Sequence, residues 1–155
     1  MTLKDLRNKL SKFRPEEILF VGMGNLYRTD DAAGLYFIRL LKDMTEYTYS
    51  QFINAGTNPE NYLQQILLTE AKAVVFIDSA LLGTEPGDIA WLTQDQIDTV
   101  GIISHGFALK LIQKFVLSES EKIFLYMGIQ PYSTTRGDKM SLIVSQKIKY
   151  FFYGY

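Results

Sequence analysis

Asp31, Asp78 and His105 are the residues of this sequence whose types and positions best suit chemistry. Asp30 and Asp31 form a carboxylate pair at the start of a helix that follows the apolar run Ile18–Met23. One acidic side chain at such a start caps backbone N–H groups and complements the helix dipole. The spacing gives that cap to Asp30 and leaves Asp31 free to point over the sheet edge. Asp78 ends the apolar run Ala73–Ile77. A carboxylate beside buried strands is costly to desolvate unless it is paired or bound to metal. Its plainer use is as a partner for the loop around Ser79. His105, the only histidine, stands in Ser104-His105-Gly106 just before a helix. It is either a loop hydrogen-bond partner or a ligand, and Gly106 lets the backbone turn sharply beside it. Two carboxylates and one imidazole make a three-ligand metal site with open positions. Such donors suit nickel, zinc or manganese. For one ion to be shared, the three side chains must lie within about 8 Å of one another, given ligand bonds near 2.0–2.2 Å.

Other chemistries are poorly provided for. With no cysteine, thiolate zinc sites, iron–sulfur clusters, disulfides and a cysteine nucleophile are excluded. Gly22 and Gly24 follow a strand, but Tyr27 stands where a dinucleotide fingerprint has its third glycine. No Gly-x-Ser-x-Gly elbow occurs, and Ser104 beside His105 in sequence does not make a triad. Asn54 and Thr57, flanking Gly56, either line the same crevice or make the turn.

The elements that position these residues alternate between strand and helix. Apolar periodicity predicts a short helix over 3–13, stopped by Pro15, and strands at 18–23, 49–55, 73–77, 88–93 and 122–129. Helices are predicted at about 32–42, from Asn58-Pro59 to Thr69, at 107–117 and at 139–152. Alternation with strands apolar on both faces predicts an α/β, doubly wound domain: a single open, mostly parallel five-stranded sheet with helices on both faces. One domain is expected over 1–155, with 1–14 as an N-terminal helical extension. Ligands of such sheets bind beyond the carboxyl ends of the strands, where the loops after Met23 and Ile77 and before Phe107 meet.

A formal net charge of −1 gives no long-range attraction for nucleic acid or an anionic membrane. The longest apolar runs are too short to span a bilayer, and the charged first 14 residues are not a secretory signal. A cytoplasmic location is expected.

At these residues the sequence resembles the hydrogenase maturation endopeptidases. The resemblance runs from about Ile18 to Gln130. It rests on Gly22-Met23-Gly24-Asn25, Asp30-Asp31-Ala32-Ala33-Gly34, Phe76-Ile77-Asp78-Ser79-Ala80 with Pro86-Gly87, and Ser104-His105-Gly106. Ala55-Gly56-Thr57-Asn58-Pro59-Glu60-Asn61 and Gly128-Ile129-Gln130-Pro131 are most similar to the branch serving formate-hydrogenlyase-type enzymes. The resemblance implies an aspartyl endopeptidase that removes the carboxyl-terminal extension of a nickel-iron hydrogenase large-subunit precursor after nickel insertion. It also implies that Asp31, Asp78 and His105 are the catalytic and metal-binding residues. Nickel would arrive on the substrate, with zinc or cadmium able to substitute in crystals. Asn54-Ala55 departs from the family, which often carries acidic or glycine residues there. Rival readings are a response-regulator-like receiver, which needs lysine where Gln130 stands, and another metal-dependent hydrolase of small molecules.

Overall fold

The structure is a computed structural model describing residues 1–155. Five strands form one sheet in the order β2-β1-β3-β5-β4: β1 Ile18–Met23, β2 Gln51–Gly56, β3 Ala73–Ser79, β4 Ile89–Trp91 and β5 Ile123–Ile129. The β1–β2, β1–β3 and β3–β5 pairs are parallel. Only β4 runs antiparallel, against β5. β1 and β3 are buried along their whole length, which explains their unbroken apolar character. β2 lies at an edge and is half exposed.

Side chains alternate across the sheet and so feed two cores. On one face, Ile18, Phe20, Val75, Ile77, Met127 and Ile129 meet helices α1 (Leu3–Leu10), α2 (Ala33–Lys42) and α6 (Leu142–Tyr153). On the other, Leu19, Val21, Met23, Val74 and Phe76 meet α3 (Leu63–Leu68), α4 (Gln94–Asp98) and α5 (Gly106–Glu119). α1 belongs to the first core through Leu6 and Leu10. No helix is long and apolar enough to cross a membrane.

Several boundaries differ from expectation for local reasons. Residues 59–62 form a 3-10 turn before α3, so the helix expected from Asn58 is broken in two. α4 was not anticipated, although Thr93 and Gln96 make a reciprocal capping box at its start. α6 begins at Leu142 instead of Lys139, because the N–H of Ser141 is held by Asp30.

The chain passes from β1 out to β2 and returns to place β3 on the other side of β1. This is where the strand order reverses and a crevice opens. α2 crosses that point closely at Gly34. A methyl group there would meet the carbonyl oxygens of Met23 and Ile77. Gly34→Ala is therefore expected to destabilise the fold by about 1–3 kcal/mol, as overpacking against rigid backbone does. Thermal unfolding checks this, and an unchanged midpoint would show that α2 can lift off without loss.

Glu17, ahead of β1, joins the amino ends of β1 and β3. It pairs with Lys72 (2.7 Å) and accepts from the N–H of Arg14 (3.0 Å). The hydrogen bond from Lys72 and that from the Arg14 backbone bring its pKa down from 4.5 to about 2. A depressed carboxylate stabilises the fold above its unfolded pKa and loses that contribution as pH falls through the folded one. Stability should therefore decline between pH 4.5 and about 2. Glu17→Gln should flatten that stretch of the denaturation curve, and an unaltered acid slope would exclude this group as its source.

Candidate functional site

The three candidates converge at the carboxyl ends of β1 and β3. Asp31 lies in a 3-10 turn, Thr29–Ala32, between β1 and α2. Asp78 is the next-to-last residue of β3, and His105 immediately precedes α5. Gly106 opens that helix without a positive φ, so no sharp turn is made there.

Asp78 and His105 are joined directly, Oδ2 to Nδ1 at 2.8 Å. The other Asp78 oxygen accepts from the N–H of Ser79 (2.8 Å). Asp31 accepts at Oδ1 from the hydroxyls of Ser79 (2.9 Å) and Ser104 (3.4 Å). Ser104 Oγ is in turn 3.1 Å from His105 Nδ1. Asp31 is thus two hydrogen-bond lengths from the imidazole, inside the reach expected for one shared ion. Ser79 and Ser104 are the residues of the site that the sequence did not point to. Each adjoins a candidate in sequence, but only the fold turns its hydroxyl onto Asp31.

All hydrogen bonds to Asp31 go to Oδ1 and those of the imidazole involve Nδ1, leaving Asp31 Oδ2 and His105 Nε2 free for a ligand. Ser104 and Asp78 both address Nδ1. A serine triad needs them on opposite ring nitrogens, so Ser104 is no activated nucleophile. Burial pushes the Asp78 carboxyl above its ordinary range, partly offset by the bond to His105. The same bond raises His105 above its usual value, against its own burial.

Asp31, Ser79, Ser104, His105 and Thr57 line a cleft of about 460 Å³. Asp78 stands behind His105, only 2% exposed. With Asp78 and His105 turned onto each other, no three carboxylate or imidazole groups form a ready-made ligand cage. Asp31 Oδ2 and His105 Nε2 are the donors a metal would meet first, and Asp78 would join them only if its 2.8 Å contact with His105 parted. Asn54 faces a neighbouring groove between α2 and β2, and its Oδ1 accepts from the N–H of Gly56.

Asp30 does not cap α2. The residue flanking that helix is Ala32, and no side chain bonds its N-terminus. Asp30 is fully buried and accepts from the N–H groups of Tyr132 (2.9 Å), Ser133 (3.0 Å) and Ser141 (2.7 Å) and from the Ser141 hydroxyl (2.7 Å). It clamps the segment from β5 to α6 against the site. Thr29 beside it holds a φ of 48°, an unusual conformation for a β-branched residue. Its N–H to Gly137 O and its hydroxyl to Ser133 O fix it there.

The sequence profile of the HycI family, hydrogenase maturation protease, matches residues 35–151. The chain belongs to the hydrogenase maturation protease family. The matched span includes Asp78 and His105 and begins just after Asp31. A HycI hydrogenase maturation protease from Thermococcus kodakarensis KOD1 is similar in structure. It shows a TM-score of 0.78 and 26% identity, over 94% of this chain and 92% of that one. A hydrogenase maturation protease candidate from Methanocaldococcus jannaschii is 25% identical over 75% of this chain and 73% of its own length. HybD from Escherichia coli, at 20% identity and a TM-score of 0.70, shares the fold over 86% of this chain and 85% of its own. The receiver reading falls with this assignment. In the protease, Gln130 instead accepts from the N–H groups of Leu82 and Gly83, holding the loop after β3.

Proposed function

We propose that this protease removes the carboxyl-terminal extension of a nickel-iron hydrogenase large-subunit precursor in the cytoplasm, after nickel has been inserted, and that Asp31, Asp78 and His105 read the metal. The observation that carries this is the cleft itself, where two buried carboxylates and the only histidine meet with Asp31 Oδ2 and His105 Nε2 uncommitted. The nickel is cargo of the substrate. Asp31 is oriented by two serine hydroxyls, so one oxygen is fixed while the other faces the newcomer. His105 is held by Asp78, which sets the ring's tautomer and orientation, as outer partners of metal-binding histidines do. A precursor without nickel offers these groups nothing to ligate.

Purified precursor, loaded with nickel or stripped of it, is the test, read as a mobility shift on a gel. Only the loaded form should lose its extension. Equal cleavage of nickel-free precursor would overturn metal-gated recognition.

A further inference from the structure

The cleft is acidic at its floor, yet its wall carries a cation. Apart from His105, Arg28 is the only basic residue that lines it. Arg28 is exposed and belongs to the loop between β1 and α2. Its Nε donates to the carbonyl oxygen of Thr134 at 3.1 Å, and neither Nη group meets an acceptor within the protein. No ion pair of the chain includes it. Two carboxylates follow it within three residues, and both are turned elsewhere. Asp30 is taken by Tyr132, Ser133 and Ser141, and Asp31 by the hydroxyls of Ser79 and Ser104. The backbone of Arg28 is fixed as well. Its N–H donates to Asn25 O (3.2 Å), and its carbonyl accepts from the N–H of Asp31 (3.0 Å). On either side, Thr29 N–H to Gly137 O (2.9 Å) and Gly137 N–H to Tyr27 O (2.8 Å) strap the loop to the segment after β5. An arginine held only by solvent would sweep the wall freely, whereas this one is pinned at Nε and along its backbone. With Nε used, the free end of the guanidinium presents two parallel N–H donors, the geometry that grips a carboxylate.

We propose that Arg28 is a specificity-determining residue that pairs with an acidic side chain of the precursor, close to the bond to be cut. The inference rests on the function proposed above and deepens it. A cleft of about 460 Å³ has room for about three extended residues, at roughly 3.3 Å each. The partner of Arg28 therefore lies within about three residues of the scissile bond. The acidic floor repels a carboxylate that enters the cleft unpaired. Arg28 is the wall group that reverses this repulsion. It admits a precursor whose acid is in register and leaves a misregistered one facing like charge.

The test is a charge exchange. Arg28→Gln and Arg28→Glu are assayed on nickel-loaded precursor, with KM, kcat and the dissociation constant measured for each. Arg28→Gln should raise KM by about tenfold, the scale of one charge-assisted pair. Arg28→Glu should raise it further, with kcat near the wild-type value in both. Arg28→Lys keeps the charge without the planar fork and should lie between wild type and Arg28→Gln. The acidic residues of the precursor within about three positions of the bond are then changed to lysine one at a time. One of these precursors should be cut poorly by the wild type and well again by the Arg28→Glu enzyme. A merely structural bond to Thr134 cannot produce that restoration. An unchanged KM for Arg28→Glu, or no restoration by any charge exchange, would overturn the pairing and leave the proteolytic function standing. A fall in kcat at constant KM would place Arg28 on the reacting carbonyl and also overturn it. If the wild type cuts nothing but the dissociation constants follow the charge exchange, the pairing holds and the proteolytic reading falls.

Discussion

Asp78→Asn should cut processing of the nickel-loaded precursor by about 10–100-fold, while leaving the protein as stable as the wild type or more so. The carboxylate is buried, and desolvation opposes its charge. A neutral amide of the same shape avoids that opposition. Both hydrogen bonds can survive the change. The amide oxygen accepts from the N–H of Ser79, and the amide nitrogen donates to His105 Nδ1, where Asp78 now meets them. That arrangement moves the imidazole proton to Nε2, the atom the wild-type tautomer leaves open. The variant therefore keeps its contacts and loses the ligand. Thermal unfolding and the gel assay run on one preparation separate the two properties. Cleavage near the wild-type rate would remove Asp78 from the mechanism, and a collapsed melting point would make its role structural.

The opposite pattern is expected one turn away. Asp30→Ala should cost about 3–5 kcal/mol, the scale of breaking a buried charge-assisted network. For a chain of this size the midpoint should fall by about 10 °C. Four donors lose their acceptor at once, three of them backbone N–H groups that no other side chain serves. Asp30→Asn, which keeps one acceptor oxygen, should lie between. Chemical denaturation at constant temperature gives the number directly. A loss of about 1 kcal/mol would return Asp30 to the rank of an ordinary helix cap. Processing by the Asp30→Ala protein at low temperature would show that the clamp shapes the site without entering the chemistry.

These two aspartates mark how far the sequence could be read. The strand–helix alternation is written in local patterns, so the layers, the five strands and the crevice between β1 and β3 were legible. The meeting of Asp31, Asp78 and His105 at one sheet edge was legible too, because each sits at a junction where an apolar pattern stops. Asp30 was misread because capping is a local rule, and its donors stand more than a hundred residues later. Nothing near Asp30 announces them. Ser79 and Ser104 escaped for the same reason, since a hydroxyl acquires its role only from what the fold places opposite. α4 was the exception: its capping box lay in plain view at Thr93 and Gln96, but the helix it starts is only five residues long.

The Asp30 clamp also sets a timetable for a newly made chain. Residue 30 leaves the ribosome long before Ser141, 111 positions later. At about 5–20 residues per second the interval is roughly 6–20 s. During that time Asp30 can rely only on water, and the cleft lacks the wall formed by Pro131 and Thr134. Contacts of such long sequence separation form late. The cleft wall at Pro131 and Thr134 and the α6 contact to Asp30 are therefore the last parts of the site to be assembled.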